Sequence, residues 1–248
     1  MEKNLKERVK SGLFSYGLML GYADPLIVEM AAYAGFDFIR IDCEHEMIDI
    51  SAVKNMVMTA NHLNLPVIVR LSTLDDITRL LDFGVSGVMV PSVNGKEQAI
   101  EAVNLVKYGP IGARGMSGSA RYLKYGETKL NPEEANERTL LVIQIETKEA
   151  LNNINEILSV DGIDMVATGR GDLSQSLGYI GQPTHPKVIE AEDYVITQTL
   201  KYGKIPNLLA NTPERVSELK QKGVYCYSIG RDTAIIYKAL KNHISLYK

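Results

Sequence analysis

The stretch Pro66–Pro91, PVIVRLSTLDDITRLLDFGVSGVMVP, decides the fold. Val67–Leu71 is a short, β-branched run, apolar at every position but Arg70, as a strand covered on both faces requires. Asp75–Asp82 carries its apolar residues at helical spacing, and Gly84 stands just past the end, where a left-handed cap belongs. Gly87–Val90 is a second apolar run. A strand, a helix and a strand in such close succession imply parallel strands joined by a right-handed crossover.

The same unit recurs on both sides of this stretch. Strands are expected at Gly17–Leu20, Phe36–Ile41, Leu141–Ile145, Met165–Thr168, Ile205–Leu209 and Val224–Ile229, which makes eight with the two above. Helical patterns lie between them at Pro25–Ala34, Ser51–Leu63, Lys96–Val106, Lys148–Leu158, His185–Tyr202 and Pro213–Lys222. Asp24 before Pro25 reads as a helix start, with a capping side chain and proline at the first helical position. Eight strands alternating with helices in 248 residues fit an α/β protein of one domain, a TIM (β/α)8 barrel over residues 1–248. An open, doubly wound sheet is the architectural rival. One stretch breaks the rhythm: Tyr108–Asn131 is Gly-rich, polar and without period, and a loop this long in a compact domain carries function or disorder.

Composition narrows the function classes. A net charge of -3 leaves no basic footprint for nucleic acid. No apolar run approaches the length of a membrane span. The N-terminal MEKNLKERVK reads as a charged helical start with no apolar signal core. Cys43 and Cys226 form neither a disulfide framework nor a thiolate metal motif, which fits a reducing, cytoplasmic setting.

In a barrel of this kind the chemistry sits at the C-terminal ends of the strands. Those ends carry Asp42–His45, Arg70, Pro91, Glu146, Gly169–Asp172 and Arg231–Asp232. Glu146 closes an apolar strand and must be paired, hydrated or bound to metal. Asp172 ends the next strand, and adjacent strands are about 4.8 Å apart, so the two carboxylates can share an ion. Carboxylates without a Cys cluster or His pair favour a hard divalent cation. The competing structural reading pairs Glu146 with Arg70 or Arg170. Gly169 and Gly171 let backbone N–H groups approach a ligand. His45 titrates near neutrality and suits proton transfer. Arg70, inside an apolar strand, needs an anion, either Glu146 or a substrate carboxylate. Asp82, at a helix end, reads from position alone as a solvated residue.

Six segments in order, GFDFIRIDCEH, PVIVRLS, LLDFGVSGVMVP, YGPIGARG, EEANERTLLVIQIET and GDLSQSLGYIGQPTHP, resemble the HpcH/HpaI family of class II 2-oxo acid aldolases across nearly the whole chain. The resemblance implies a divalent metal (Mg2+, Mn2+ or Co2+) held by Glu146 and Asp172, with pyruvate bound through its carboxylate and 2-oxo oxygens. It implies His45 as catalytic base, Asp82 as the acid that orients it, and Arg70 beside the pyruvate oxygens. It implies Gln144 in the pocket wall and the N–H groups of Gly171 and Asp172 as donors to the pyruvate carboxylate. It further implies a homohexamer, a trimer of dimers, whose last helix is exchanged between neighbours. The expected reaction joins or separates pyruvate enolate and an aldehyde, with a 4-hydroxy-2-oxo acid as the joined form.

Arg170 stands where the family has proline, and it places a cation beside Asp172. With the cations of Arg114–Arg121 it supports a rival reading, a citrate-synthase-like condensation of oxaloacetate with an acetyl thioester. Phosphoenolpyruvate chemistry lacks its phosphoryl-transfer loop here. A non-catalytic ligand-binding barrel is a further alternative, disfavoured by the polar mouth.

Overall fold

The computed structural model describes residues 4–248. Eight parallel strands close in sequence order into a barrel: β1 Ser15–Leu20, β2 Phe38–Asp42, β3 Val67–Arg70, β4 Gly87–Val90, β5 Leu140–Gln144, β6 Met165–Thr168, β7 Ile205–Leu209 and β8 Cys226–Arg231. The helices are α1 Leu5–Lys10, α2 Pro25–Tyr33, α3 Ile50–His62, α4 Ile77–Phe83, α5 Lys96–Val106, α6 Pro132–Arg138, α7 Lys148–Asn152, α8 Ile154–Leu158, α9 Arg170–Ser176, α10 Pro186–Lys201, α11 Pro213–Gln221 and α12 Asp232–Ser245. The closed order removes the open-sheet rival. No described helix is long and apolar enough to cross a membrane.

Each expected strand is present, with ends displaced by up to two residues. β2 begins at Phe38 rather than Phe36 because Gly35 and Phe36 hydrogen-bond back to Ala32 and Ala31 and close α2 instead. β8 begins at Cys226 and runs on to Arg231, which brings that arginine into the strand. The expected helix Lys148–Leu158 divides at Asn153, whose Nδ2 bonds the Asn94 carbonyl at 2.9 Å. Short helices α6 and α9 are too brief to give a periodic signal, and α12 does not stand out from its own pattern. Of the charged N-terminal stretch, Leu5–Lys10 is helical; residues 1–3 lie outside the described residues.

The core has two shells. Side chains on the outer strand faces, such as Ile39, Ile41, Val69 and Ile143, pack beneath the helices. Alternate residues, including Phe38, Ile68, Met89, Val142, Met165 and Cys226, fill the barrel, with Leu5 and Val9 of α1 packed against them from below. Lys6 of α1 and Lys107, after α5, converge on buried Asp164, each at 2.7 Å. This ion cluster ties the plug helix to the base of the barrel.

The Tyr108–Asn131 segment is largely exposed and anchored by a few buried residues. It holds a 3-10 turn at Arg121–Gly126, with Tyr108 and Leu123 buried and the Tyr108 and Tyr122 hydroxyls 2.9 Å apart.

Gly17 of β1 pairs in register with Phe38 of β2, and the Phe38 ring lies where a Gly17 side chain would point. A Cβ added there would sit 2.2 Å from the ring. Gly17→Ala is expected to destabilise the barrel by about 1–3 kcal/mol through overpacking. Thermal denaturation reads this out: Phe38→Leu should restore much of the loss, and a single variant as stable as the parent would refute the constraint.

Candidate active site at the barrel mouth

At the C-terminal end of the barrel the polar side chains converge. Asp42, fully buried at the end of β2, is the hub. Its carboxylate accepts Arg70 Nε at 2.9 Å and Nη2 at 2.6 Å, Arg231 Nη2 at 2.8 Å, and the Glu44 and His45 N–H groups at 3.2 and 3.3 Å. Burial alone would raise this carboxyl, but the hydrogen bonds and charge of Arg70, with help from the His45 N–H and Arg231, hold it down at about 2. Arg70 Nη1 lies 3.0 Å from Glu44, and Arg231 binds Glu46 with its other arm. A chain of alternating charge, Glu44–Arg70–Asp42–Arg231–Glu46, therefore lines one side of the mouth.

Glu146 stands opposite, two residues past the end of β5. Its Oε1 accepts the Ser92 N–H at 2.9 Å and hydroxyl at 2.8 Å, and its Oε2 accepts Gln144 Nε2 at 2.8 Å. Ser92 adopts φ +51°, an uncommon left-handed conformation for a residue with a side chain. Burial raises the Glu146 carboxyl; the Ser92 hydroxyl opposes this, and the neighbouring charges of Asp172 and Glu44 add to it. Glu44, His45, Ser92, Glu146 and Asp172 line one cleft of about 410 Å³.

Two alternative pairings of the charges are absent, and Asp82 lies away from this chain's mouth. Arg70 pairs with Asp42 and Glu44, not Glu146. Arg170 turns away from the mouth, donating to buried Glu192 of α10 at 2.9 and 2.7 Å, with Arg215 on the same carboxylate. The competing structural pairing of Glu146 with either arginine is therefore absent. Asp82 does not orient His45 of its own chain. α4 runs antiparallel to the strands, so its last residues lie at the opposite end of the barrel. There Asp82 pairs with Arg114 Nη2 at 2.6 Å, and Tyr108 and Tyr122 flank that guanidinium. His45 is half-exposed, and its Nε2 lies 3.7 Å from Glu44. The cations of the Arg114–Arg121 stretch also lie away from this mouth, since Arg121 donates to the Phe83 carbonyl beside Asp82.

Gln144, Glu146, Asp172, Arg70 and His45 thus lie together at one mouth. Asp42, Ser92 and Arg231 join them without an expected role. The signal for Asp42 was present: it closes FIRID as Glu146 closes LLVIQIE. Nothing local in the sequence pointed to Ser92.

Among the described residues no three His, Cys, Asp or Glu side chains are grouped to hold an ion by themselves. The arrangement still fits a hard cation. Glu146 and Asp172 offer two hard oxygen donors, and Mg2+-type ions keep most of their shell for water and substrate. The Gln144 side-chain oxygen is buried there with no partner, so the pocket wall retains an acceptor for a ligand or water. A divalent ion would also relieve the like-charge strain on Glu146. A larger cleft, about 600 Å³, lies at the other end of the barrel near Pro66, Ser86 and Leu140. None of the mouth side chains reaches it, so size does not identify the active site here.

The chain is similar to known proteins over nearly its whole length. A 4-hydroxy-2-oxo-heptane-1,7-dioate aldolase of Shigella boydii is 35% identical over 243 residues, 96% of this chain and 92% of its own. The enzyme of that name from Escherichia coli is 34% identical over 242 residues, with the same 96% and 92% coverage. An HpcH/HpaI aldolase from Desulfitobacterium hafniense superposes with a TM-score of 0.92 at 30% identity, covering 100% of this chain and 97% of that one. The citrate synthase SbnG superposes at 0.90, also at 30% identity, covering 98% and 97%. The HpcH/HpaI aldolase/citrate lyase family model matches residues 15–239, and this chain, an eight-stranded barrel with its acidic pair at the mouth, belongs to that family.

Proposed function

We propose that the chain is a metal-dependent aldolase that forms or cleaves the C3–C4 bond of a 4-hydroxy-2-oxo acid, with pyruvate as one partner and an aldehyde as the other. The observation that carries this reading is the Glu146–Asp172 pair. Two carboxylates face one cleft close enough for the charge of one to raise the other, beside an arginine and a half-exposed histidine. The heptanedioate in the relatives' name points to an aldehyde that itself carries a carboxylate.

A divalent ion bound to Glu146 and Asp172 would supply Lewis-acid polarisation of the 2-oxo oxygen. The chain's own residues do the rest. Arg70, fixed by Asp42, places positive charge where the oxyanion of pyruvate develops. The free N–H groups of Gly171 and Asp172, at the start of α9, receive the pyruvate carboxylate. Gln144 steers Glu146 through its amide. His45, at the rim, takes the C4 hydroxyl proton in cleavage and returns it in condensation. Asp82 can serve a histidine only across a subunit boundary, because its own His45 is at the far end of the barrel. That fits the proposed homohexamer, as do the exposed apolar residues Ile235, Tyr237, Leu240 and Ile244 of α12. A cytoplasmic location fits the two free cysteines.

The citrate-synthase-like reading is weakened by the placement of Arg170, Arg114 and Arg121, none of which faces this chain's mouth. Incubation of the Mn2+-loaded protein with pyruvate and an aldehyde panel, against oxaloacetate and acetyl-CoA, separates the two by mass spectrometry. A 4-hydroxy-2-oxo acid product, lost in EDTA and restored by Mg2+, Mn2+ or Co2+, is expected; full activity in chelator would refute the metal. His45→Ala should slow cleavage roughly a hundredfold or more, and a rate equal to the parent's would remove His45 from the mechanism.

A further inference from the structure

Below the Asp42 hub, inside the barrel, Arg40 of β2 extends across the lumen. It is only 8% exposed. Its Nη1 reaches Met89 Sδ at 3.6 Å, a weak acceptor, and Asn207 Oδ1 at 3.5 Å, a long contact. Its Nε is buried with no acceptor. Arginine stays charged inside proteins, and an isolated buried charge is costly.

The nearby carboxylate is already committed. Asp42 takes five donors on its two oxygens, from Arg70, Arg231 and two backbone N–H groups, against about four lone-pair sites. Among the described residues Arg70 and Arg231 both form ion pairs with Asp42, and Arg40 forms none. Burial and the like charge of Arg70 push the Arg40 guanidinium down to about 10, with the Asp42 charge opposing.

A second atom points the same way. Ser228 Oγ, on the lumen side of β8 two residues beyond Cys226, is also buried without a partner. Between the two strands, Asn207 donates to Cys226 Sγ at 3.0 Å and so keeps its oxygen turned to Arg40. The surrounding lumen is lined by Met89 and Ala167. A cation, a spare hydroxyl and apolar walls suit a weakly hydrated anion and no cation.

We propose that the lumen beneath Arg70 is a binding site for a small monovalent anion, held by the Arg40 guanidinium and the Ser228 hydroxyl. A free halide and the carboxylate of an oxo acid share this chemistry. The inference does not rest on the aldolase reading.

The test uses the unmodified full chain, free of metal. Crystals grown in sodium bromide should show an anomalous peak in contact with Arg40. In solution the thermal midpoint should rise by about 3–5 °C when bromide, replacing gluconate, exceeds its Kd tenfold. Arg40→Met should abolish that response, while Arg40→Lys keeps part of it. Adding pyruvate to the bromide crystals distinguishes the sources: bromide displaced by a carboxylate assigns the site to the oxo acid, and bromide retained assigns it to free halide. Absence of both bromide and carboxylate beside Arg40, with identical salt responses in parent and Arg40→Met, would overturn the proposal.

Discussion

Glu146→Gln is expected to abolish productive metal binding while leaving the barrel intact. The amide keeps the shape of the carboxylate: its oxygen can still accept from Ser92, and its NH2 can donate to the Gln144 oxygen once that amide turns over, so the main loss is the charge. Changes to groups that merely support a metal ligand already lower affinity 10–100-fold; loss of a ligand's charge should exceed the upper end of that range. Aldol turnover should fall by about a thousandfold, since Lewis-acid stabilisation is worth several kcal/mol and each 1.36 kcal/mol is tenfold in rate. Asp172→Asn should behave alike. The folded state holds the Glu146 carboxyl above its ordinary value, chiefly by burial. Its contribution to stability is therefore present below about pH 4.5 and lost as the pH rises through the raised folded value. At neutral pH the metal-free Gln variant should thus be no less stable than the metal-free parent. It should lack the parent's increase in melting temperature on adding Mn2+. Metal affinity of the parent should weaken as the pH falls toward that raised value, because the ligand must be deprotonated. Titration calorimetry with Mn2+ reads both effects, and parental affinity in Glu146→Gln would refute the assignment.

The barrel was legible because its signals are local. Each strand is an apolar run a few residues long, and each helix repeats every three to four residues. Glu146, Asp172 and His45 were legible for a related reason. They follow strand ends, and a closed parallel barrel sends all such ends to one mouth. Partnership was less legible, because it depends on geometry around the circumference rather than on position along a strand. Arg70 has Asp42 beside it in register on β2 and Glu146 two strands away on β5, and proximity decided between two equally acidic candidates. Arg170 lies two residues from Asp172, but a helix turns neighbouring side chains to different sides, and Glu192 of α10 captured it. Asp82 shows the same limit at larger scale: the family resemblance indicated a role, but the antiparallel course of α4 carries it away from its own mouth. Ser92 depends on a left-handed turn that no residue type in Pro91–Val93 announces.

Asp42→Ala is expected to cause the largest loss of stability among single changes at the mouth. Removing one partner of a buried ion pair costs about 3–5 kcal/mol, because the other charge is left buried and uncompensated. Here two guanidinium groups lose their carboxylate together, Arg70 and Arg231, and the Glu44 and His45 N–H groups lose their acceptor. For a chain of this size a fall in melting temperature of roughly 10 °C or more follows, at about 2–4 °C per kcal/mol. The pH dependence carries a matching signature. Asp42 titrates at about 2 in the folded protein against an ordinary 3.8, so its stabilisation is present above 3.8 and lost as the pH falls toward 2. The variant should lack that part of the acid transition. Activity should fall as well, since Arg70 loses the fork that aims it and the His45 loop loses its anchor. The test is a double-mutant cycle with Arg70→Met. If Asp42 acts through Arg70, the second substitution should recover part of the lost stability, because the orphaned charge is gone, yet restore no turnover. Additive losses would show that the two residues act independently. Recovery should be incomplete even so: the like charges of Arg40 and Arg231 would remain, with the Asp42 charge that offsets them removed.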